Sequence, residues 1–266
     1  MIIRHTIFNF VLVSFVLSQS IYAQADSDRK KQRCSDAIVK LVGKHLGISD
    51  FSYTSGVIVA GACKIWPKDN SKTIAIFAYD AGVEYEKQLI VVLVDALKGS
   101  VVATYKGAIQ EDATMTVGVD SFRIDTARYD LAPGVRAFGL DVTTSYSQGC
   151  VEGGLGPVRT LFIQDGKEIR PVIENFYISS WRYVQGGPSC AEGENVVIED
   201  ITYSIGIGNV ATNGYANLKI TAISSYSDAA KTKRNSYEYE VHYDGNKYPT
   251  SLFNGAGTEL DNWRRE

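Results

Sequence analysis

The sequence predicts a mainly β fold, an antiparallel sandwich or a propeller-like set of sheets with one N-terminal helix, and three observations carry that reading. From residue 53 onward, β-branched and aromatic residues alternate with Gly, Asn, Asp and Ser punctuation, the composition of strands joined by tight turns. The segments Thr73 to Tyr79 and Gln88 to Val94 are continuously apolar, as central strands covered on both faces are. Ile201, Tyr203, Ile205 and Ile207 alternate with Thr202, Ser204 and Gly206, the period-two pattern of a half-buried strand.

At the N-terminus, Arg4 and His5 precede an apolar stretch from Ile7 to Leu17, broken by Asn9 and Ser14, and a polar run ending in small residues follows. That order is a secretory signal peptide, with cleavage expected after Ala23 or Ala25. The apolar core is shorter than the ~20 residues a membrane-spanning helix needs. The expected organisation is a leader over 1–23 and an exported β-rich domain over 24–266, with a composition break near 147–157 that marks either a boundary between two lobes or a long loop. A periplasmic or secreted location without a stable membrane anchor follows.

Ser35 and Asp36 open the one strong helix signal, with Ile38, Val39, Val42 and Leu46 as its apolar stripe and Gly47 as its stop. Met115, Val117 and Val119 read as one face of another half-buried strand. Asp165-Gly166 and Asp244-Gly245, each beside strand-like sequence, predict type I′ hairpin turns.

The chain has 266 residues and a formal net charge of −3. That balance opposes nucleic acid as a partner, because phosphate recognition needs a concentrated basic field. The basic cluster Arg29-Lys30-Lys31 with Arg33 reads as a solvated tail. Four cysteines, Cys34, Cys63, Cys150 and Cys190, favour two disulfides in an exported chain. The preferred pairing is Cys34 with Cys63 and Cys150 with Cys190, since each closes a moderate loop and the second pins the two glycine-rich stretches that bracket residues 158 to 185. Structural zinc spacings are absent.

After leader removal the histidines are His45 and His242, and neither a GxSxG nor an HExxH motif accompanies them. Glu238, Glu240 and His242 form the most suggestive set. On a strand they share one face at steps of about 6 to 7 Å, with Tyr237, Tyr239, Val241 and Tyr243 on the other. A row of this kind can hold a divalent cation or pair a carboxylate with an imidazole, and it is equally the polar face of an ordinary amphipathic strand. No catalytic or metal-ligating residue is assigned, and no cofactor is expected. Gly153-Gly154-Leu155-Gly156 lacks the Lys-Ser/Thr ending of a phosphate-binding loop.

The segment NVATNGYANL resembles the calcium loop of FG-GAP repeats in integrin-like β-propellers. On that pattern Asn209, Asn213 and Asn217 stand where carboxylates belong, and Ala211 replaces a further ligand. Hard cations are held mainly by carboxylate oxygens, so the segment is read as an Asn-Gly turn and no metal site is carried over. LVDALKGSVVATYKG similarly resembles one blade of a quinoprotein-type propeller.

The leading functional expectation is a noncatalytic binding protein of the cell envelope, such as an inhibitor or a toxin-immunity protein. Its partner would be an envelope protein or a toxin, met near 147–157 and 185–195. The alternatives are an envelope hydrolase or metal-dependent enzyme using Glu238, Glu240 and His242, and a structural or carbohydrate-binding component with exposed Trp and Tyr as stacking surfaces. Oligomeric state is left open.

Overall fold

Alternating apolar residues build most of this chain into strands, and the computed structural model describes residues 32–112, 116–143, 153–186, 196–227 and 235–250. The helix α1 (Asp36–Leu46) precedes β1 (Ile58–Ile65), β2 (Lys72–Tyr79), β3 (Glu86–Asp95), β4 (Ser100–Gln110), β5 (Phe122–Ala132) and β6 (Val135–Val142). There follow β7 (Gly153–Leu155), β8 (Val158–Asp165), β9 (Glu168–Tyr177), β10 (Ser179–Gln185), β11 (Val197–Thr212), β12 (Tyr215–Tyr226) and β13 (Asn235–Val241).

Two sheets result. The first has the order β1-β2-β3-β4-β9-β8-β6-β5, and the second the order β13-β12-β11-β10-β7. The fold is mainly β, as the composition predicts, and two packed sheets rather than radial blades make it sandwich-like. One detail departs from an all-antiparallel expectation: β4 and β9 meet in parallel at Thr104 and Glu168, so the first sheet is mixed.

The first sheet curls until its edge strands β1 and β5 approach each other. Ile74, Ile76, Leu89, Val91, Leu93, Ile124, Phe138 and Phe162 fill the interior of the curl. The alternate residues of β2 and β3, Ala75, Phe77, Ile90 and Val92, face outward onto Val39 and Val42 of α1. Both apolar runs are therefore covered on both faces. On the far side of the curl, Leu161, Ile163, Val172 and Phe176 pack against Ile201, Tyr203, Leu218 and Ile220 of the second sheet. The even spacing of Ile201 to Ile207 does give that strand its inward face.

Helix α1 ends where Gly47 takes φ 75°, and the amides of Gly47 and Ile48 return to the carbonyls of Lys44 and Gly43. Just before α1, Cys34 is bonded to Cys63 of β1, with Cα atoms 4.9 Å apart. The chain preceding the helix is thus tied to the edge strand, and buried Gln32 completes the closure. Its carbonyl accepts from Cys63 N at 2.7 Å. Its side-chain Oε1 accepts from Ile124 N at 2.7 Å, and its Nε2 donates to Ile124 O at 3.2 Å. One amide side chain so fills the ladder position between β1 and β5, and Lys64 Nζ adds a 3.3 Å bond to the same Ile124 carbonyl.

Three local expectations need correction. Val117 is buried while Val119 is 61% exposed, and they lie in an irregular segment that turns at Gly118 and Ser121, so they do not share a strand face. Asp165 pairs with Glu168, which makes Gly166 and Lys167 the central turn residues; a positive φ of 61° at Gly166, and none at Lys167, gives the type II′ pattern instead of I′. Asp244 does form a turn, accepting from the amides of Asn246 and Lys247, but no strand follows among the described residues. The chain instead crosses to β9, where Tyr248 N donates to Val172 O. The expected leader segment, Cys150, Cys190, Met115 and most of the two glycine-rich stretches lie outside the described residues.

Candidate functional site

The second half of β5, β6 and the long β11–β12 hairpin converge beside the β1–β2 turn and leave a groove of about 670 Å³ between them. Each wall owes its shape to a break in strand register. On β5, Thr126, Ala127 and Arg128 stand opposite Phe138 alone, since Asp125 pairs with Gly139 and Tyr129 with Ala137. On β11, Gly208, Asn209 and Val210 stand opposite Asn217 alone, between the pairs Ile207–Leu218 and Ala211–Ala216. Bulges of this kind bend the strand and re-aim side chains. Glycine is required at 208, because an added Cβ would lie 2.9 Å from the Asn217 carbonyl oxygen.

Three cations and one carboxylate line the groove: Lys68, Arg128, Arg136 and Asp130. Arg128 is 85% exposed and 3.6 Å from Asp130. Arg136 sits 4.0 Å from the same carboxylate and donates to Thr126 O at 3.0 Å. Lys68 Nζ donates to the Gly134 carbonyl and lies 5.2 Å from the centre of the Trp66 ring. Leu131, Val135 and Ile207 add apolar side chains to the lining, while Gly134, Gly208, Ala211, Gly214 and Ala216 offer little side-chain cover.

The hairpin tip at Asn213 (φ 50°) and Gly214 (φ 83°) is the Asn-Gly turn expected from the sequence. It carries a chain of hydrogen bonds toward β13. Asn217 Nδ2 donates to Glu240 at 2.6 Å, and Thr212 Oγ1 donates to Asn217 Oδ1 at 2.7 Å. The Thr212 hydroxyl also lies 3.3 Å from His242 Nδ1, within hydrogen-bond reach. Asn213 Nδ2 meanwhile holds Tyr243 O at 2.9 Å.

Glu238 and Glu240 of β13 and His242 just past its end are exposed, and Val241 and Tyr243 between and after them are buried. Their partners are separate: Glu238 pairs with Lys219 at 2.7 Å, Glu240 takes the Asn217 amide, and His242 meets Thr212. Among the described residues, no group of three or more His, Cys, Asp and Glu side chains is placed to hold a metal ion. The other histidine, His45 of α1, has Nε2 3.2 Å from Thr104 Oγ1.

A buried ionic cluster lies under the β5 bulge. Asp141, with its side chain 2% exposed, accepts from Arg159 Nε at 2.6 Å and from Arg123 at 2.6 Å. Arg159 also reaches Asp125 at 2.8 Å and the Tyr129 hydroxyl at 2.8 Å. Burial alone would raise the Asp125 carboxyl, yet Arg159, the Tyr129 hydroxyl and the Ala127 amide outweigh it and hold Asp125 below the usual range. Burial pushes the Tyr129 phenol up. Burial also works against the Arg159 charge, but hydrogen bonding and attraction from Asp141 more than compensate, so its guanidinium is held protonated. In the second sheet, buried Glu199 is similarly engaged by Arg182 at 2.7 Å and by Ser224 at 2.7 Å.

Sequence patterning singled out the β13 row and missed the groove. The Pro133-Gly134 dipeptide was the available signal for the β5–β6 turn. No protein-family model matches the chain, and neither a curated protein nor a solved structure matches it.

Proposed function

We propose that this chain is a noncatalytic binding protein of an exported compartment, and that its partner is another protein. The observation that carries the reading is the groove, an open concavity walled by two bulged hairpins and lined by cations, apolar side chains and glycines. The buried ionisable groups support it, because Arg159, Asp141, Asp125 and Glu199 are committed to fixed internal pairs. The Cys34–Cys63 disulfide suits an oxidising location, and no helix among the described residues is long and apolar enough to cross a membrane. An inhibitor or immunity protein of the cell envelope is the concrete form we favour.

Affinity capture from an envelope extract with the tagged, disulfide-intact chain tests this, followed by reconstitution from purified components. The expected result is one protein retained in fixed stoichiometry against a tag-only control. Failure to reconstitute any complex overturns the reading. The enzyme alternative rests on the exposed His242 and predicts bound divalent metal that His242→Ala loses.

A further inference from the structure

Resting on the binding reading, we infer that the groove between the β5–β6 and β11–β12 hairpins receives an acidic, extended polypeptide segment of the partner. Charge is the first argument. Lys68, Arg128 and Arg136 face the groove against Asp130 alone, on a chain whose formal net charge is −3. This face therefore opposes the sign of the whole molecule. The two ion pairs to Asp130 are long, at 3.6 and 4.0 Å, so one carboxylate serves two guanidiniums weakly.

The distribution of charge is the second argument. The cations come from three elements: Lys68 from the β1–β2 turn, Arg128 from the β5 bulge and Arg136 from β6. Spread in this way they suit a row of carboxylates along a chain better than one compact anion. The floor is the third. Gly208, Gly214, Ala211 and Ala216 give the β11–β12 side of the groove little side-chain cover beyond Ile207, which lets a guest main chain approach there.

The test is binding of fluorescent deca-glutamate to the disulfide-intact chain, with deca-lysine, inorganic polyphosphate and a single-stranded oligonucleotide as competitors. Deca-glutamate is expected to bind, to weaken as salt rises, and to shift amide resonances at 68, 128–136 and 207–216. Arg128→Gln, whose parent side chain is mostly exposed, and the double variant Arg128→Gln/Arg136→Gln are expected to weaken it by about tenfold in the double case, with an unchanged melting temperature in the single. Absence of binding, full affinity in both variants, shifts located elsewhere, or equal or tighter binding of polyphosphate or oligonucleotide would each overturn the inference. With a captured partner in hand, full affinity of the double variant for that partner also overturns it while leaving the binding reading intact. Failure of any partner to form a complex strikes the binding reading itself.

Discussion

The two halves of β5 meet opposite fates. From Phe122 to Asp125 the strand is an edge that has been closed, with both main-chain groups of Ile124 bonded to the Gln32 side chain. Beyond the bulge at 126 to 128, the strand leaves β1 and becomes the wall of an open groove. An exposed strand edge invites pairing with other chains. Here one half is stapled by a segment that the Cys34–Cys63 bridge holds in place, and the other is turned by its bulge and charged with Arg128 and Asp130. The lesson is that closure and exposure on one strand are set by what lies across from it, not by its own composition.

Several changes break or sharpen this contrast, taken from the largest expected effect down. Asp141→Asn leaves Arg123 and Arg159 buried or half-buried against a neutral amide beside the closed half, and is expected to cost about 3 to 5 kcal/mol in urea unfolding. Replacing Cys34 and Cys63 together with Ala, across a sequence separation of 29, removes about 3 to 4 kcal/mol by the chain-entropy estimate. Calorimetry of the variant and of the reduced parent checks that figure. Gln32→Ala keeps the main-chain bond to Cys63 and the Lys64 bond to the Ile124 carbonyl but removes the acceptor of the Ile124 amide at the seam, for about 1 to 3 kcal/mol.

Acid is the next lever. The folded-state carboxyl of Asp125 is held below its unfolded value, so its stabilisation is fully present above about pH 4 and is lost as pH falls through the folded value. Urea midpoints measured from neutral to acid pH should fall less steeply in Asp125→Asn than in the parent. The smallest effect belongs to the open half: Arg128→Gln should change stability by no more than about 0.5 kcal/mol, because the side chain is 85% exposed.

Periodicity made much of the fold legible. The apolar runs of β2 and β3 and the alternation of β11 translate directly into faces, and Cys34 with Cys63 was readable from loop size. β5 was opaque for a physical reason. Arg123 and Asp125 sit on the same side of the strand as Tyr129 and Leu131, where Asp141 and Arg159 neutralise them, whereas pattern reading places charges outward. The turn at 165 slipped by one residue because Asp165 keeps its ladder pairing with Glu168. The groove was invisible because its lining is gathered from Lys68, from 128 to 136 and from 207 to 216, and no local spacing reports that meeting. The Glu238, Glu240 and His242 row was legible as exposed, while the Asn217 and Thr212 side chains that tie Glu240 and His242 together come from another hairpin.

The most direct test of the closed-and-open account is native-state hydrogen exchange, read amide by amide in the parent and in Gln32→Ala. The account predicts that Ile124 exchanges as slowly as the interior of β3 in the parent, that Gln32→Ala selectively accelerates it, and that amides at 126 to 128 and 208 to 210 exchange fast in both. Rapid exchange of Ile124 in the parent, or protection indifferent to Gln32, would contradict it.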